Sequence, residues 1–470
     1  MKFKKAIIAL TIILFLSSTS ISGEKIDIEY SESYILTIKS CNYLENVQEF
    51  TNHSFLVNIN SIHTITESSF TIGNRYNYTT FTIELDPYKN RYLNITFEVY
   101  EIIDNEYFNC DLDKDEGIGF VNITYDSYTG HWTGGDKIGD ASGYGRLNGC
   151  NDVSYYDFER DFELCFSIDV KDSDNDNIPR WFEENIYFTN PLIDDSQSDE
   201  DEDYIPLYWE YKWQYDPFTY DNHKEIDNEK DGLNNYEEYL VSQWGSDPYR
   251  KDIFMELDQM EIGPNGEGAF VPKNSLVQVG QTYAKRNIVF HVDDGCMGGG
   301  EILSYKRVLW MGEGREYYRK YFLDNDPENW RRGVFRYALF VNEHLPIRGM
   351  EFPGENNIIF YFMPGLNSFV MSTSIYELMN KSPDESAAFL ILHELGHTLG
   401  MCMGRPLGCD NQLMRFKFSL QNIIFKNYRS VMNYKYTYSI LDYSDGTHGF
   451  GDYDDWGNLD LTYFQPKGAR

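Results

Sequence analysis

One acidic register is written three times in this sequence, and a chain so charged closes only around cations. Residues 172–183 read D-S-D-N-D-N-I-P-R-W-F-E, residues 199–210 read D-E-D-E-D-Y-I-P-L-Y-W-E, and residues 227–238 read D-N-E-K-D-G-L-N-N-Y-E-E. Each unit sets acids at positions 1, 3 and 5 of a twelve-residue loop and a Glu at position 12. These are Asp172, Asp174, Asp176 and Glu183; Asp199, Asp201, Asp203 and Glu210; and Asp227, Glu229, Asp231 and Glu238. Three short carboxylates converge on an ion and a bidentate Glu from the following helix closes its shell, which is the EF-hand arrangement. The units start 27 and 28 residues apart, and each closes on an x-Pro pair, at Asn190-Pro191, Asp216-Pro217 and Asp247-Pro248. Residues 172–238 hold 21 acids against four Lys or Arg. Repulsion at that density loosens a cation-free chain, so structural Ca2+ is expected here.

The pattern resembles the calcium-binding aspartate repeats of the thrombospondin type 3 class. It departs at position 6, where a left-handed turn favours Gly. Gly232 fits, Asn177 is tolerated and Tyr204 fits poorly, so the second loop is expected to be the weakest.

The formal net charge of −35 over 470 residues argues against a nucleic-acid partner, because phosphate binding needs a basic face. A hydrophobic content of 41% still allows several packed cores. Lys2, Lys4 and Lys5 precede an apolar run over 6–16 and small polar residues to about Ser22. Eleven apolar residues are too few to span a bilayer, so residues 1–22 are expected to be a cleavable signal peptide, and the mature chain secreted or at the cell surface with no membrane span. Export permits disulfides, but seven cysteines are an odd number, and no C-x-x-C pair marks a cysteine-only zinc site. Five N-x-S/T triplets begin at Asn52, Asn77, Asn94, Asn122 and Asn380.

Residues 23–168 alternate. Leu93, Ile95, Phe97 and Val99 interleave with Asn94, Thr96, Glu98 and Tyr100; Val121, Ile123 and Tyr125, and Leu164, Phe166 and Ile168, repeat the period. Several half-buried strands of this kind predict an all-β sandwich, C2-like in general form. Asp111, Asp113 and Asp115 offer either a calcium loop or a solvated turn, and 293–300, with Asp293-Asp294-Gly295 and three further glycines, is a turn-rich candidate for another calcium site.

Chemistry concentrates in 382–400, S-P-D-E-S-A-A-F-L-I-L-H-E-L-G-H-T-L-G. Ser382 can cap a helix, Pro383 suits its first position, Glu385 completes a capping box, and Gly400 can end it in a left-handed turn. On that helix His393 and His397 stand at i and i+4, one above the other, close enough to hold one metal ion. Glu394 beside them is free to act as a general base on water.

Gly400 follows His397 by three residues, and S-V-M-N-Y lies at 430–434. With both motifs in place, residues 251–470 resemble the metzincin zinc peptidases, whose zincin domain is α+β. The resemblance implies catalytic Zn2+ on His393 and His397, a methionine turn at Met432, and Tyr434 as a hydrogen-bond donor to the oxyanion. It also implies a third ligand three residues after Gly400, but that residue is Met403, a poor zinc donor. His448, the only histidine after the helix, and Asp410 are the leading substitutes, with Asp445, Cys402 and Cys409 behind them. Cys402 and Cys409 are expected to pair. An apolar run at 358–363 is a candidate for the edge strand that lies beside substrate, or for an ordinary core strand.

The expected layout is multidomain: signal peptide (1–22), β-sandwich (23–168), calcium repeats (169–250) and zinc metallopeptidase domain (251–470). The expected function is hydrolysis of extracellular proteins or peptides. The alternative is a calcium-dependent surface or adhesion protein with a degenerate zinc site.

Overall fold

A computed structural model describes the chain between Ser33 and Gln465, except for 44–53, 61–68, 72–78, 84–90, 104–105, 114–118, 136–144, 149–161, 311, 346–348, 353–366, 379–380, 402–405 and 412–417; residues 1–32 and 466–470 are also left out. The apolar leader, the sequons at Asn52, Asn77 and Asn380, the run at 358–363, Asp115, Cys402 and Met403 therefore lie outside the described residues.

The amino-terminal part is built of antiparallel strands. One sheet joins β1 (Ser33–Tyr43), β4 (Thr79–Ile83), β9 (Gly145–Asn148) and β10 (Phe162–Lys171) in the order β4-β1-β10-β9. The other runs β3-β2-β5-β7-β8, formed by β2 (Ser54–Asn60), β3 (Ser69–Thr71), β5 (Tyr92–Ile103), β7 (Val121–Asp126) and β8 (His131–Gly134), with β6 (Glu106–Cys110) added to β5. Leu93, Ile95, Phe97 and Val99 are buried while Asn94 is exposed, as two-residue side-chain alternation requires. Their partners across the core come from the other sheet: Leu36 and Ile38 on β1, Leu164 and Phe166 on β10. Phe97 meets Phe166 with ring centroids 4.9 Å apart, and Tyr34 meets Tyr125 edge-on at 5.3 Å.

The three acidic loops share one backbone. Positions 4 and 6 are left-handed in each: Asn175 and Asn177 (φ 68° and 67°), Glu202 and Tyr204 (65° and 82°), Lys230 and Gly232 (62° and 99°). Position 7 is a buried aliphatic residue, Ile178, Ile205 or Leu233. Its N–H donates to the carboxylate at position 5, at 2.8 Å to Asp176, 3.0 Å to Asp203 and 2.8 Å to Asp231. A helical segment follows each loop, Arg180–Phe182 running into Glu183–Tyr187, then Leu207–Trp213, then Asn235–Val241 running into Ser242–Trp244, and these end at a left-handed Phe188, Gln214 and Gly245. Tyr204 holds its strained backbone with its ring exposed over Lys224, whose Nζ lies 3.7 Å from the ring centroid.

The carboxy-terminal sheet contains β11 (Asp252–Met260), β12 (Val289–Asp293), β13 (Ile302–Leu303), β15 (Phe335–Val341), β17 (Gly349–Phe352) and β18 (Ser368–Ser372). Its order is β12-β11-β15-β18-β17, with β13 also on β11. All pairings are parallel except that of β17, the antiparallel strand beyond β18. A small ribbon pairs β14 (Leu309–Trp310) with β16 (His344–Leu345). Every residue of β15 is buried, because both faces of the sheet are covered. Ala338 and Phe340 face a core shared with the helices Lys273–Ala284 and Pro383–Thr398. Phe335, Tyr337, Leu339 and Val341 face the opposite core, which takes in Leu233 and Val241 of the third acidic unit and Phe464 near the end of the chain. The third unit thus packs into the same core as the sheet that follows position 250.

The 293–300 loop is organised by protein donors. Asp293 accepts N–H groups from Gly295, Met297 and Gly299 and a 2.6 Å ion pair from Arg331, so the charge of its carboxylate is compensated within the chain.

Candidate metal centre

The helix Pro383–Thr398 carries its start signal in working form: Glu385 N donates to Ser382 Oγ at 3.2 Å, and the Glu385 carboxylate returns to Ser382 N. From Ser386 to Thr398 it is buried on every side, which suits a central helix rather than a surface one. Gly400, at φ 90°, turns the chain away from the helix end.

His393 Nδ1 meets the carbonyl of Val431 at 2.9 Å, and His397 Nδ1 meets that of Met401. Each Nδ1–H donates to a backbone oxygen, which turns each Nε2 lone pair toward the same point. Asp410 arrives there from the loop after Gly400. Its Oδ1 lies 3.1 Å from His393 Nε2 and its Oδ2 3.4 Å from His397 Nε2. Donors held about 2.0–2.2 Å from a tetrahedral ion stand roughly 3.3–3.6 Å from one another, close to these separations, so the three groups fit the first coordination sphere of zinc.

The electrostatics match that donor set. Burial would raise the Asp410 carboxyl, but His397, His393 and the Tyr434 hydroxyl outweigh it and hold the group below the usual carboxylate range. Burial works against a charged His393, and Asp410 overrides it, raising the imidazole.

The methionine turn sits under the helix. Met432 is fully buried, and a Cβ on Gly396 would come within 2.5 Å of its sulfur, so the Gly inside H-E-L-G-H is the residue that lets the turn close on the helix. Met432 also accepts the Asp410 N–H at its carbonyl, 3.1 Å away, which ties the turn to the third donor. The ring of Tyr434 stacks on His393 at 5.7 Å and its hydroxyl hydrogen-bonds Asp410. Glu394 is buried next to both histidines.

His448 belongs to a different place. Its Nδ1 lies 2.9 Å from Asp452 Oδ2 and 3.7 Å from Asp445 Oδ1, in a partly exposed cluster of these three residues. Asp410, and not His448 or Asp445, shares the point on which His393 and His397 converge.

The acidic loops hold carboxylates that lack donors. Both oxygens of Asp174, Asp201, Glu210, Glu229 and Glu238 are buried and accept no hydrogen bond, and Oε2 of Glu183 is in the same state. Burial, then neighbouring acids, push Asp176 to about 9, Glu183 to about 8 and Glu229 to about 10. Inward-facing carboxylates without donors fit a divalent cation, which satisfies their lone pairs and cancels their repulsion.

Sequence reasoning missed one participant in each unit. Asp195 joins Asp176 and Glu183, and His223 joins Asp203 and Glu210. Asp252, the first residue of β11, gives its N–H to Asp231 at 2.7 Å and raises Glu238 by its charge, behind burial and Asp231. These residues follow the closing Glu of their loops by twelve, thirteen and fourteen positions. That near-regular spacing was a usable signal.

Among the described residues no helix is long and apolar enough to cross a membrane. No protein-family model matches this chain, and no curated protein matches it.

Proposed function

We propose that this chain is a zinc-dependent endopeptidase acting on extracellular proteins or peptides and stabilised by calcium. The observation that carries the reading is the carboxylate of Asp410 beside Nε2 of both His393 and His397. When bound there, zinc supplies Lewis acidity toward the scissile carbonyl and toward water. Glu394 takes a proton from the attacking water and delivers it to the leaving amine. Tyr434 donates a hydrogen bond to the oxygen on which negative charge develops. β17, the last strand of the sheet among the described residues and packed near the candidate helix, would pair with an extended substrate backbone.

The layout of signal peptide, sandwich, calcium repeats and catalytic domain, and a secreted or cell-surface location, belong to the same proposal. The adhesion reading was motivated by Met403 in place of a ligand; the geometry of Asp410 supports the peptidase instead. The test is cleavage of a protein such as casein by the chain and by Glu394→Gln. The variant should keep its zinc and lose about 10²–10⁴-fold in rate, the contribution of a general base. Near-normal cleavage by the variant, or none by the zinc-loaded parent, would overturn the reading.

A further inference from the structure

We infer that the second acidic loop is a site for a borderline divalent cation of the zinc type, bound through His223, rather than a third copy of the calcium site. This inference does not depend on the peptidase reading. His223 is completely buried, and its Nε2 lies 3.0 Å from Asp203 Oδ2 and 3.7 Å from Glu210 Oε1. The second distance is beyond hydrogen-bond reach. Glu210 is itself fully buried, and neither of its oxygens has a hydrogen-bond donor. A simple His223–Asp203 pair reaches Glu210 only as an ion pair at 3.7 Å, and burial still pushes that carboxyl up to about 7. A cation shared by all three groups satisfies each of them.

The imidazole is fixed by its neighbours. It is seated edge-on against Trp209 and Tyr215, with ring centroids 5.9 and 4.9 Å away. Its Nδ1 accepts from Nδ2 of the Asn235 side-chain amide at 2.9 Å. In that contact the amide N–H donates to Nδ1, so the proton of the neutral ring sits on Nε2, facing Asp203 and Glu210; a metal at Nε2 replaces that proton when the amide turns its oxygen to Nδ1. Asn235 is itself buried and opens the helix of the third unit, so the next repeat sets this orientation.

The donor set then selects the ion. Calcium is held by six to eight oxygens, whereas imidazole nitrogen suits zinc and its transition-metal neighbours. Asp203, Glu210 and His223 place one nitrogen and two carboxylates around one point. Asp201, whose oxygens also lack donors, stands next to them in the loop. The first loop is completed by a further carboxylate, Asp195, and the third lies beside Asp252, whose own carboxylate pairs with His291 at 3.0 Å.

The test measures metal content of the full-length chain after equilibration with micromolar zinc in millimolar calcium. The His223→Gln chain should hold one zinc fewer than the parent. The double variant His393→Ala/His397→Ala should also lose one, and combining the changes should remove both. Equal zinc in the parent and in His223→Gln overturns the inference, whatever happens at His393 and His397. A second measurement needs no substitution. Crystals of the unmodified chain grown with both ions, measured on either side of the zinc absorption edge, should show zinc-specific density bonded to Nε2 of His223. Calcium density there, or none, overturns it equally.

Discussion

At the residue scale the informative pair is Asp410 and His448. Donor chemistry alone favours the histidine, since imidazole is a stronger zinc ligand than one carboxylate. The fold spends His448 elsewhere, on Asp452 and Asp445, and brings Asp410 in on a left-handed backbone, at φ 51°, with its N–H held by Met432. Asp410→Ala should therefore weaken zinc binding by more than the roughly 10–100-fold that loss of a partner behind a ligand costs. His448→Ala should leave zinc content unchanged. Metal analysis of the two variants ranks them, and the reverse order would exclude Asp410. Tyr434→Phe should keep zinc and KM while kcat falls by about 10²–10³, the usual effect of removing one oxyanion donor. A loss confined to KM would assign Tyr434 to substrate binding instead.

At the scale of elements, the helix Pro383–Thr398 was legible almost to the residue, because its cap, first-turn proline and terminal glycine are local signals. Its contact with the methionine turn was not legible, although both motifs were. Gly396 shows the coupling. An alanine there gains up to about 1 kcal/mol of helix propensity, but its methyl group meets the buried sulfur of Met432, and overpacking of this kind costs about 1–3 kcal/mol. Gly396→Ala should lower the denaturant midpoint and disturb zinc retention. A raised midpoint would mean that Met432 yields without cost. The acidic loops make a parallel case. Glu183→Gln and Glu238→Gln each remove half of a bidentate ligand from a turn whose backbone is fully formed, and calorimetric titration should record clearly weaker calcium binding in both. Unchanged heats would leave these glutamates as buried acids without an ion.

At the scale of the whole molecule, the acidic units are mortar between two larger bodies. On one side Tyr211 donates to the carbonyl of Thr129 at 2.9 Å, and Trp181 stacks on Tyr128 with centroids 4.8 Å apart. On the other, Leu233 and Val241 belong to the core under the parallel sheet, and Gln465 reaches back to the carbonyl of Gly232 at 2.8 Å. A boundary at position 250 is visible in composition and absent from packing. Under the proposed calcium binding, linkage to the native state would stabilise the chain by about 2.7 kcal/mol per site at one hundred times Kd. Chelation should therefore lower the thermal midpoint of the carboxy-terminal sheet as well as that of the repeats, and hydrogen exchange should quicken along β11. A midpoint insensitive to millimolar calcium would reduce the repeats to an acidic linker.

The sequence by itself determined what is local: the strand alternation around Leu93–Val99, the loop acids at positions 1, 3, 5 and 12, the capped helix, and the placing of His393 and His397 one turn apart. Each follows from a fixed geometric period or from a side chain bonding its own backbone neighbourhood. Tertiary structure alone decided which distant groups meet. Asp410 reaches the histidines, His223 enters the second loop, Asp252 closes on the third, and Met432 settles on Gly396. These contacts depend on how loops return across a packed core, and no period along the chain encodes a loop's destination.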